Sequence, residues 1–143
     1  MTAPEFLERD VVLFLHDQAL REYGGIQGLK DEGLLDSALG RPANKLAYGE
    51  PPGPDLFDLA AAYAFGLASN HAFNDGNKRT AWGCCVLFLK VNGRHLRVAT
   101  PEAVEQMLRL VERGTDEADF AEWLRTGDHQ DVWGARDGGG DRQ

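Results

Sequence analysis

One short segment, His71 to Ala81 (HAFNDGNKRTA), combines the residue types that could carry out chemistry. It holds an imidazole, a carboxylate, an amide and two cations within a few residues of one another. His71, with a reference pKa of about 6.5, is suited to accept a proton from a hydroxyl at neutral pH. Asp75 is a hard oxygen ligand, and Mg²⁺ typically takes one or two carboxylates together with phosphates and water. These residue types therefore indicate proton transfer and phosphate chemistry at one place.

The second half of this segment predicts a phosphate site. The first backbone N–H groups of a helix are unpaired and carry about half a positive charge, which attracts anions. Gly76 has no side chain to block a close approach. Lys78 adds a point charge, and Arg79 adds a bidentate fork for phosphoryl oxygens. Phe73, between these polar groups, is expected to turn inward and anchor the loop.

Ordinary structural explanations exist for several of these residues. Asp75, Lys78 and Arg79 could form a solvated helix start, although cations in a first turn oppose the helix dipole. Trp82, one turn further, could border a nucleotide, but packing is the favoured interpretation. The histidines outside the segment stand alone and are expected to be caps or satisfied hydrogen-bond partners: His16, His95 and His129.

Helical periodicity dominates the chain, and no segment alternates with period two between hairpin turns, so the predicted fold class is all-α. Apolar spacing and capping residues predict about six helices. These run from near Pro4 or Arg9 to Glu22, from a cap at Asp31 to before Arg41-Pro42, from a cap at Asp55 to Ser69, from Lys78 to Val91, from Thr100-Pro101 onward, and from Thr115 or Asp116 onward. Two of the helices flank the segment with the chemical residues.

Apolar stripes predict which helix faces are buried. Thr2 and Glu5 have the spacing of a capping box for the first helix, with Pro4 among its first residues. The predicted core positions are Val12, Leu15, Ala19 and Tyr23 on the first helix, Leu34, Leu35, Ala38 and Leu39 on the second, Val104, Met107, Leu108 and Val111 on the fifth, and Phe120, Trp123 and Leu124 on the last. The small residues of the third helix predict a slim helix at the centre of a bundle.

Two stretches are predicted to lack regular structure. Residues 43–54 end in Pro51, Pro52, Gly53 and Pro54, which predicts a loop or flap over the site. From Gly127 onward the chain is mostly Asp, Gly, Gln and Arg, which predicts a disordered tail. The expected organisation is therefore one domain over residues 1–126 and a tail over 127–143.

Composition narrows the class of protein. The chain has 143 residues, 43% of them hydrophobic, and a formal net charge of −8. This acidity argues against nucleic-acid binding, which needs a basic face. Cys84 and Cys85 are neighbours, which suits buried reduced thiols. No apolar stretch approaches the roughly 18 residues of a membrane span, and no export signal is visible, so a cytoplasmic location is expected.

The segment also resembles a family signature. HAFNDGNKRTA is similar to HxFx[D/E][A/G]N[G/K]R, the core motif of the Fic/Doc family. With lysine at position 78, the motif resembles that of the death-on-curing (Doc) branch, since the Fic branch usually has glycine there. The resemblance extends to residues 16–42, 56–71 and 88–93, and so covers about residues 6–125.

The resemblance implies an all-helical Fic/Doc-type bundle with a short flap, which transfers part of a nucleotide to a protein hydroxyl. Fic-branch members transfer AMP. Doc-type members phosphorylate instead, with the γ-phosphate facing the histidine, and their target is elongation factor Tu. The first expectation is therefore a toxin of a toxin–antitoxin module that inhibits translation. AMP transfer by the same site and a catalytically silent, antitoxin-binding homologue are the alternatives.

The resemblance also implies roles for individual residues. It makes His71 the general base, Asp75 the Mg²⁺ ligand, Gly76 and Asn77 part of the anion cradle, and Lys78 and Arg79 the phosphate clamps. ATP is the implied co-substrate. A small Phd-type antitoxin, folding as it binds, is the implied partner that covers the active-site groove. By analogy with the family flap, Arg41 and the loop to Tyr48 are candidates for holding the target chain. Neither a membrane nor DNA is an expected partner.

Overall fold

The computed structural model describes residues 3–130, and within them six α-helices and one two-stranded antiparallel sheet. The elements are α1 (Arg9–Tyr23), α2 (Glu32–Tyr48), α3 (Leu56–Asn70), α4 (Asn77–Val91), β1 (Arg94–Leu96), α5 (Thr100–Val111), α6 (Glu117–Thr126) and β2 (Asp128–Gln130). The helices confirm the predicted all-α class. No helix in the described part is long and apolar enough to cross a membrane.

Helix α3 forms the centre of the bundle, as predicted. It packs against α2, α4 and α6, and most of its residues are buried. Its small side chains let neighbouring helices come close: a Cβ at Gly66 would lie 2.9 Å from Cδ of Arg41. Asp55 caps the helix in a reciprocal capping box with Asp58. This rigid helix ends at His71 and therefore positions the predicted general base.

Helix α4 carries the other end of the predicted site and is anchored by its apolar face. Cys84 and Cys85 are buried and unbridged, which confirms the prediction of core thiols. Burial raises the pKa of the Cys84 thiol to about 12 and also raises that of Cys85. Neither sulfur is therefore a nucleophile near neutral pH.

Helix α1 begins later than a capping box would place it. Pro4 lies outside the helix, and the N-cap Glu8 makes no side-chain cap. The capping-box partner Thr2 lies outside the described residues. The chain before Arg9 is held instead by tertiary contacts, including a hydrogen bond from the Leu7 N–H to the Tyr63 hydroxyl oxygen. The buried stripe is also shifted: Val12, His16 and Leu20 are buried, whereas Leu15 and Ala19 are half-buried and Tyr23 is exposed.

Helix α2 starts at the predicted cap Asp31 but does not stop before Pro42. It continues to Tyr48, so the predicted loop over residues 43–54 is wrong for 43–48 and correct only beyond. The local rule fails because contacts downstream stabilise the helix: Arg41 and Lys45, on either side of the proline, both pair with Glu117 of α6. Leu34, predicted to be in the core, is 36% exposed.

The chain after α6 is structured at first, which corrects the prediction that disorder begins at Gly127. Gly127 is buried, and β2 pairs with β1 in the register Leu96↔Asp128. The side chains of Arg94 and Asp128 form an ion pair across the two strands. A strand pair this short has no period-two signature, so the sequence pattern could not reveal it. The rest of the predicted tail, residues 131–143, lies outside the described residues.

The buried face of helix α5 matches the prediction only in part: Met107 is buried as predicted, and Val111 packs half-buried against the core. Ala103, Met107 and Leu110 are buried, whereas Val104 is 55% and Leu108 41% exposed. The predicted inward faces of Phe120 and Leu124 on α6 are confirmed. Val104 and Leu108 are thus an apolar surface beside the N-terminal half of α4.

Candidate active site

His71 stands at the point where α3 ends. It is the C-cap of that helix and adopts a left-handed backbone, with φ 54° and ψ 45°. Such a conformation is uncommon for a residue other than glycine and turns the chain sharply out of the helix. The side chain is exposed, and no partner of its ring is found within residues 3–130. The imidazole is therefore available to a group that approaches from solvent.

The loop after His71 is anchored from the inside. Ala72 and Phe73 are buried, which confirms the inward turn of Phe73. The backbone N–H groups of Lys30 and Asp31 both donate to the carbonyl oxygen of Ala72, at 2.7 and 3.1 Å. Phe73 also forms an isolated β-bridge with Leu29. The loop is therefore fastened to the segment that joins α1 to α2.

Asn77 closes the loop on itself. Its Oδ1 accepts from the backbone N–H of Phe73 at 3.1 Å, and its Nδ2 donates to the carbonyl oxygen of the same residue at 3.0 Å. Both ends of the amide are thus used within the loop. The side chain of Asn77 shapes the loop, and its backbone N–H is the group left to face an anion.

The Asp75 carboxylate is exposed and is oriented by backbone donors. Its Oδ2 accepts from the Ile26 N–H at 3.2 Å, and its Oδ1 accepts from the Gly76 N–H at 2.9 Å. These two hydrogen bonds, that from Ile26 first, lower the pKa of the carboxyl. Gly25 adopts a φ of 130°, which other residues rarely adopt, and a Cβ there would lie 2.9 Å from Oδ2. The carboxylate is therefore ionised and fixed in direction near neutral pH.

Gly76 is the N-cap of α4 and adopts a left-handed backbone with φ 76°. It offers no side-chain cap, and the first turn of α4 contains no acidic residue. The N–H of Gly76 itself donates a hydrogen bond to Oδ1 of Asp75. Within residues 3–130 the next three N–H groups, those of Asn77, Lys78 and Arg79, have no acceptor. An anion at this helix start would therefore meet three free donors.

Lys78 and Arg79 lie exposed at this uncapped end. The guanidinium carbon of Arg79 sits 4.3 Å from the centre of the Tyr23 ring, a cation–π contact. Both cations border a pocket of about 100 Å³ between α4 and α5, lined by Lys78, Arg79, Trp82, Ala103, Val104, Met107 and Leu108. Trp82 packs against Trp123, which confirms the favoured packing interpretation, and it also lines this pocket.

His16 is a contact of the site that sequence reasoning left without a functional role. Its Nε2 lies 2.8 Å from the backbone oxygen of Asp75, which confirms the expectation of a satisfied partner. Gly28 was missed as well: its carbonyl oxygen accepts from the Asn74 N–H. The clustering of Gly24, Gly25 and Gly28 is the signal that could have shown this segment to be more than the end of a helix.

The residues present fit a magnesium ion shared with a phosphate better than a dedicated metal centre. No group of three or more His, Cys, Asp or Glu side chains suitable for a metal occurs in the described part of the chain. Asp75 is a single ionised, exposed carboxylate whose oxygens keep lone pairs beyond the two they use. Magnesium is commonly held by one or two carboxylates, with phosphates and water completing its shell.

Comparison with known proteins assigns the chain to a family. The model of the Fic/DOC family matches residues 6–89, a range that contains the whole segment from His71 to Arg79. The chain is 42% identical over 82 residues to "Protein kinase doc" of Escherichia phage P1, covering 57% of this chain and 64% of that protein. It is 46% identical over 92 residues to "Toxin Doc" of Mycolicibacterium smegmatis, covering 64% and 68%. Each match thus spans about two thirds of the relative's length. The chain belongs to the Fic/DOC family.

Proposed function

We propose that the chain is the toxin of a toxin–antitoxin module, and that it transfers the γ-phosphoryl group of ATP to a Ser/Thr hydroxyl of elongation factor Tu, which inhibits translation. The names of the two relatives, a protein kinase and a toxin, support this proposal. The observation that carries it is the exposed imidazole of His71, which has no partner in the described part of the chain. It lies next to a loop that leads into an uncapped helix start with two cations.

The proposed chemistry assigns each group one task. His71 accepts the proton of the acceptor hydroxyl, whose oxygen forms a bond to the γ-phosphorus while the bond from that phosphorus to the β-phosphate oxygen breaks. The free N–H groups of α4, with Lys78 and Arg79, stabilise negative charge on the transferred group. Catalysis of this kind depends mainly on positioning and electrostatics, which suits a loop so heavily cross-linked by hydrogen bonds.

Mg²⁺ and ATP are the proposed cofactor and co-substrate. Asp75 is the residue that would hold the ion, and the ion would neutralise phosphate charge there. The lowered pKa of Asp75 keeps its carboxylate ready for a cation at neutral pH.

The proposed partner is an antitoxin of the Phd type. The exposed apolar residues Val104 and Leu108 border the pocket that Lys78 and Arg79 also line. A segment that folds as it binds needs an apolar surface of this kind. Occupying it would cover the cations and so block access to the site.

The test uses two ATP preparations, labelled on the α- or the γ-phosphate, with purified elongation factor Tu as acceptor. We expect the γ-label alone to reach the acceptor, and His71→Ala to abolish the transfer. His129→Ala, an exposed histidine on β2, is the matched control and should leave it unchanged. Transfer of the α-label would show AMP transfer instead. No transfer by the wild-type chain of either label would favour a silent antitoxin-binding protein.

A further inference from the structure

His16 is a buried imidazole that the proposed chemistry does not use. It lies on the inner face of α1 and is 6% exposed. Its ring stacks on that of Phe73, with centroids 3.7 Å apart and planes inclined by 11°. Its Nε2 lies 2.8 Å from the backbone oxygen of Asp75. The ring therefore contacts the loop after His71 in two ways: it stacks on Phe73, and it forms a hydrogen bond with the backbone of Asp75.

The polar contact determines which ring nitrogen carries a proton. A backbone carbonyl oxygen accepts hydrogen bonds and cannot donate them, so Nε2 of His16 must be the donor. A neutral ring protonated on Nδ1 would place two lone pairs against each other at 2.8 Å. The structure thus assigns the Nε2–H form to the ring.

The hydrogen bond acts on the peptide that joins Asp75 to Gly76. The carbonyl oxygen and the N–H of a planar trans peptide point in opposite directions. Fixing the carbonyl toward His16 therefore aims the Gly76 N–H away from it, and that N–H donates to Oδ1 of Asp75. Gly76 is also the N-cap of α4, and a Cβ there would come within 3.6 Å of the His16 ring. One bond thus constrains both the carboxylate and the start of the helix.

Other contacts of the loop hold different residues. The side chain of Asn77 forms hydrogen bonds with the backbone of Phe73. The backbone of the segment before α2 forms hydrogen bonds with Ala72 and Asn74. Within residues 3–130, His16 is the group that holds the carbonyl of Asp75.

We propose that His16 is a positioning residue of the active site, which orients the Asp75 carboxylate and the first turn of α4 through the Asp75–Gly76 peptide. This inference rests on the proposed function, since it gives that carboxylate a magnesium–nucleotide complex to hold. Groups that orient a metal ligand typically contribute about 10- to 100-fold to metal affinity or activity. An effect of this size is measurable in binding without any turnover.

A pair of variants separates the hydrogen bond from the packing. His16→Phe keeps a flat ring against Phe73 but removes the donor. His16→Gln removes the ring but keeps an N–H donor at a similar reach. His129→Gln changes a histidine far along the chain and serves as the control. Each protein is titrated with MgATP by calorimetry, after thermal unfolding followed by circular dichroism has shown that it is folded.

We expect His16→Phe to weaken MgATP binding by about tenfold or more, His16→Gln to recover most of the affinity, and His129→Gln to match the wild type. Equal affinity of His16→Phe and wild type would overturn the inference but not the proposed function. A wild-type chain that binds no MgATP would overturn both. If His16→Phe does not fold, the ring tautomer of the wild type decides: long-range ¹H–¹⁵N correlation should show Nε2 protonated, and an Nδ1–H ring would refute the positioning bond.

Discussion

The carboxylate of Asp75 serves the fold and the site with the same two oxygens. Each accepts one backbone N–H, which ties the loop to the segment after α1 and to the start of α4. Because these bonds favour the charged form, the pKa of the carboxyl is lowered, and their contribution is present above the ordinary value of 3.8 and lost as the pH falls below it. Near neutral pH the loop is therefore both ordered and negatively charged where a cation is expected.

Lys78 is predicted to decide which phosphate is presented to His71. It is exposed in the first turn of α4. Under the proposed function, its side chain and charge would lie where a second phosphate could bind if this residue were glycine. We expect Lys78→Gly to shift transfer from the γ-label toward the α-label. Glycine in a helix costs about 1 kcal/mol, so the fold should persist. Lys78→Ala tests the loss of charge without backbone freedom, and an unchanged γ-transfer rate in Lys78→Gly would contradict the prediction.

Thr80 offers a test of stability next to the same helix start. Its side chain is buried, and its hydroxyl oxygen has no hydrogen-bond partner within residues 3–130. An unsatisfied buried hydroxyl destabilises by roughly 1 to 3 kcal/mol. We expect Thr80→Val, which keeps the shape, to raise the free energy of unfolding by about 1 kcal/mol. Thr80→Ser keeps the hydroxyl and leaves a cavity, so chemical denaturation should show this variant to be less stable than the wild type. If Thr80→Val is destabilised instead, the hydroxyl is hydrogen-bonded and the prediction fails.

Residue types in the motif were predictable, but most of their partners were not. The spacing from His71 to Arg79 indicated the base, the carboxylate and the cations, and the matched family range contains them all. The groups that hold the loop in place come from α1 and from the segment after it, which lie far away along the chain. Hydrogen bonds between such distant segments depend on the folded geometry and leave no periodic pattern. His16 could be predicted to have a partner, but not which one.

At the scale of elements, local signals predicted most helix boundaries to within about one residue, and the clear failures are the capping box of α1 and the end of α2. Asp31, Asp55 and Asp116 cap α2, α3 and α6 as expected, because capping depends on one side chain and the next three residues. Pro42 was expected to end α2 and does not. A proline inside a helix removes one hydrogen bond, and here the ion pairs with Glu117 lie on the turns around it. Tertiary contacts thus override a local rule.

The strand pair after α6 should contribute measurably to stability. The Arg94–Asp128 ion pair is shielded, with side-chain exposures of 27% and 15%. The Asp17–Arg21 pair on α1 is exposed, at 50% and 74%. We expect Asp128→Asn to lower the free energy of unfolding by about 1 to 2 kcal/mol and Asp17→Asn by less than about 0.5. Equal effects of the two substitutions in urea denaturation would show that the Arg94–Asp128 ion pair adds no more stability than an exposed pair.

Across the whole molecule, the positive charge of the site stands out against an acidic chain. The net charge is −8, and several cations are already neutralised in ion pairs: Arg9, Arg21, Arg41, Lys45, Arg94 and Arg125. Neither Lys78 nor Arg79 forms an ion pair with a carboxylate of residues 3–130. An anionic ligand is therefore attracted by local charge at the start of α4 and not by the field of the protein as a whole.

Arg125, in the last turn of α6, links that helix to α3 through ion pairs. These ion pairs make the stability of the fold depend on pH. Arg125 pairs with Asp55 and Asp58 at the start of α3. Burial raises the pKa of the Asp55 carboxyl, but hydrogen bonds from Arg125 and from the Asp58 N–H outweigh this and lower it below 3.8. A lowered pKa in the folded state stabilises above the unfolded value, and this contribution disappears as the carboxyl is protonated at lower pH.

We therefore expect Arg125→Gln to lower the free energy of unfolding at pH 7 by about 1 kcal/mol, because solvent screens the half-exposed Asp55. The difference between variant and wild type should shrink as the pH falls from 5 toward 3. Urea unfolding at several pH values measures it, with Arg21→Gln, which breaks only the exposed pair with Asp17, as the control. A difference that stays constant down to pH 3 would mean that Arg125 stabilises the bundle by packing over Phe57, its ring centre 6.0 Å away, and not through its charge.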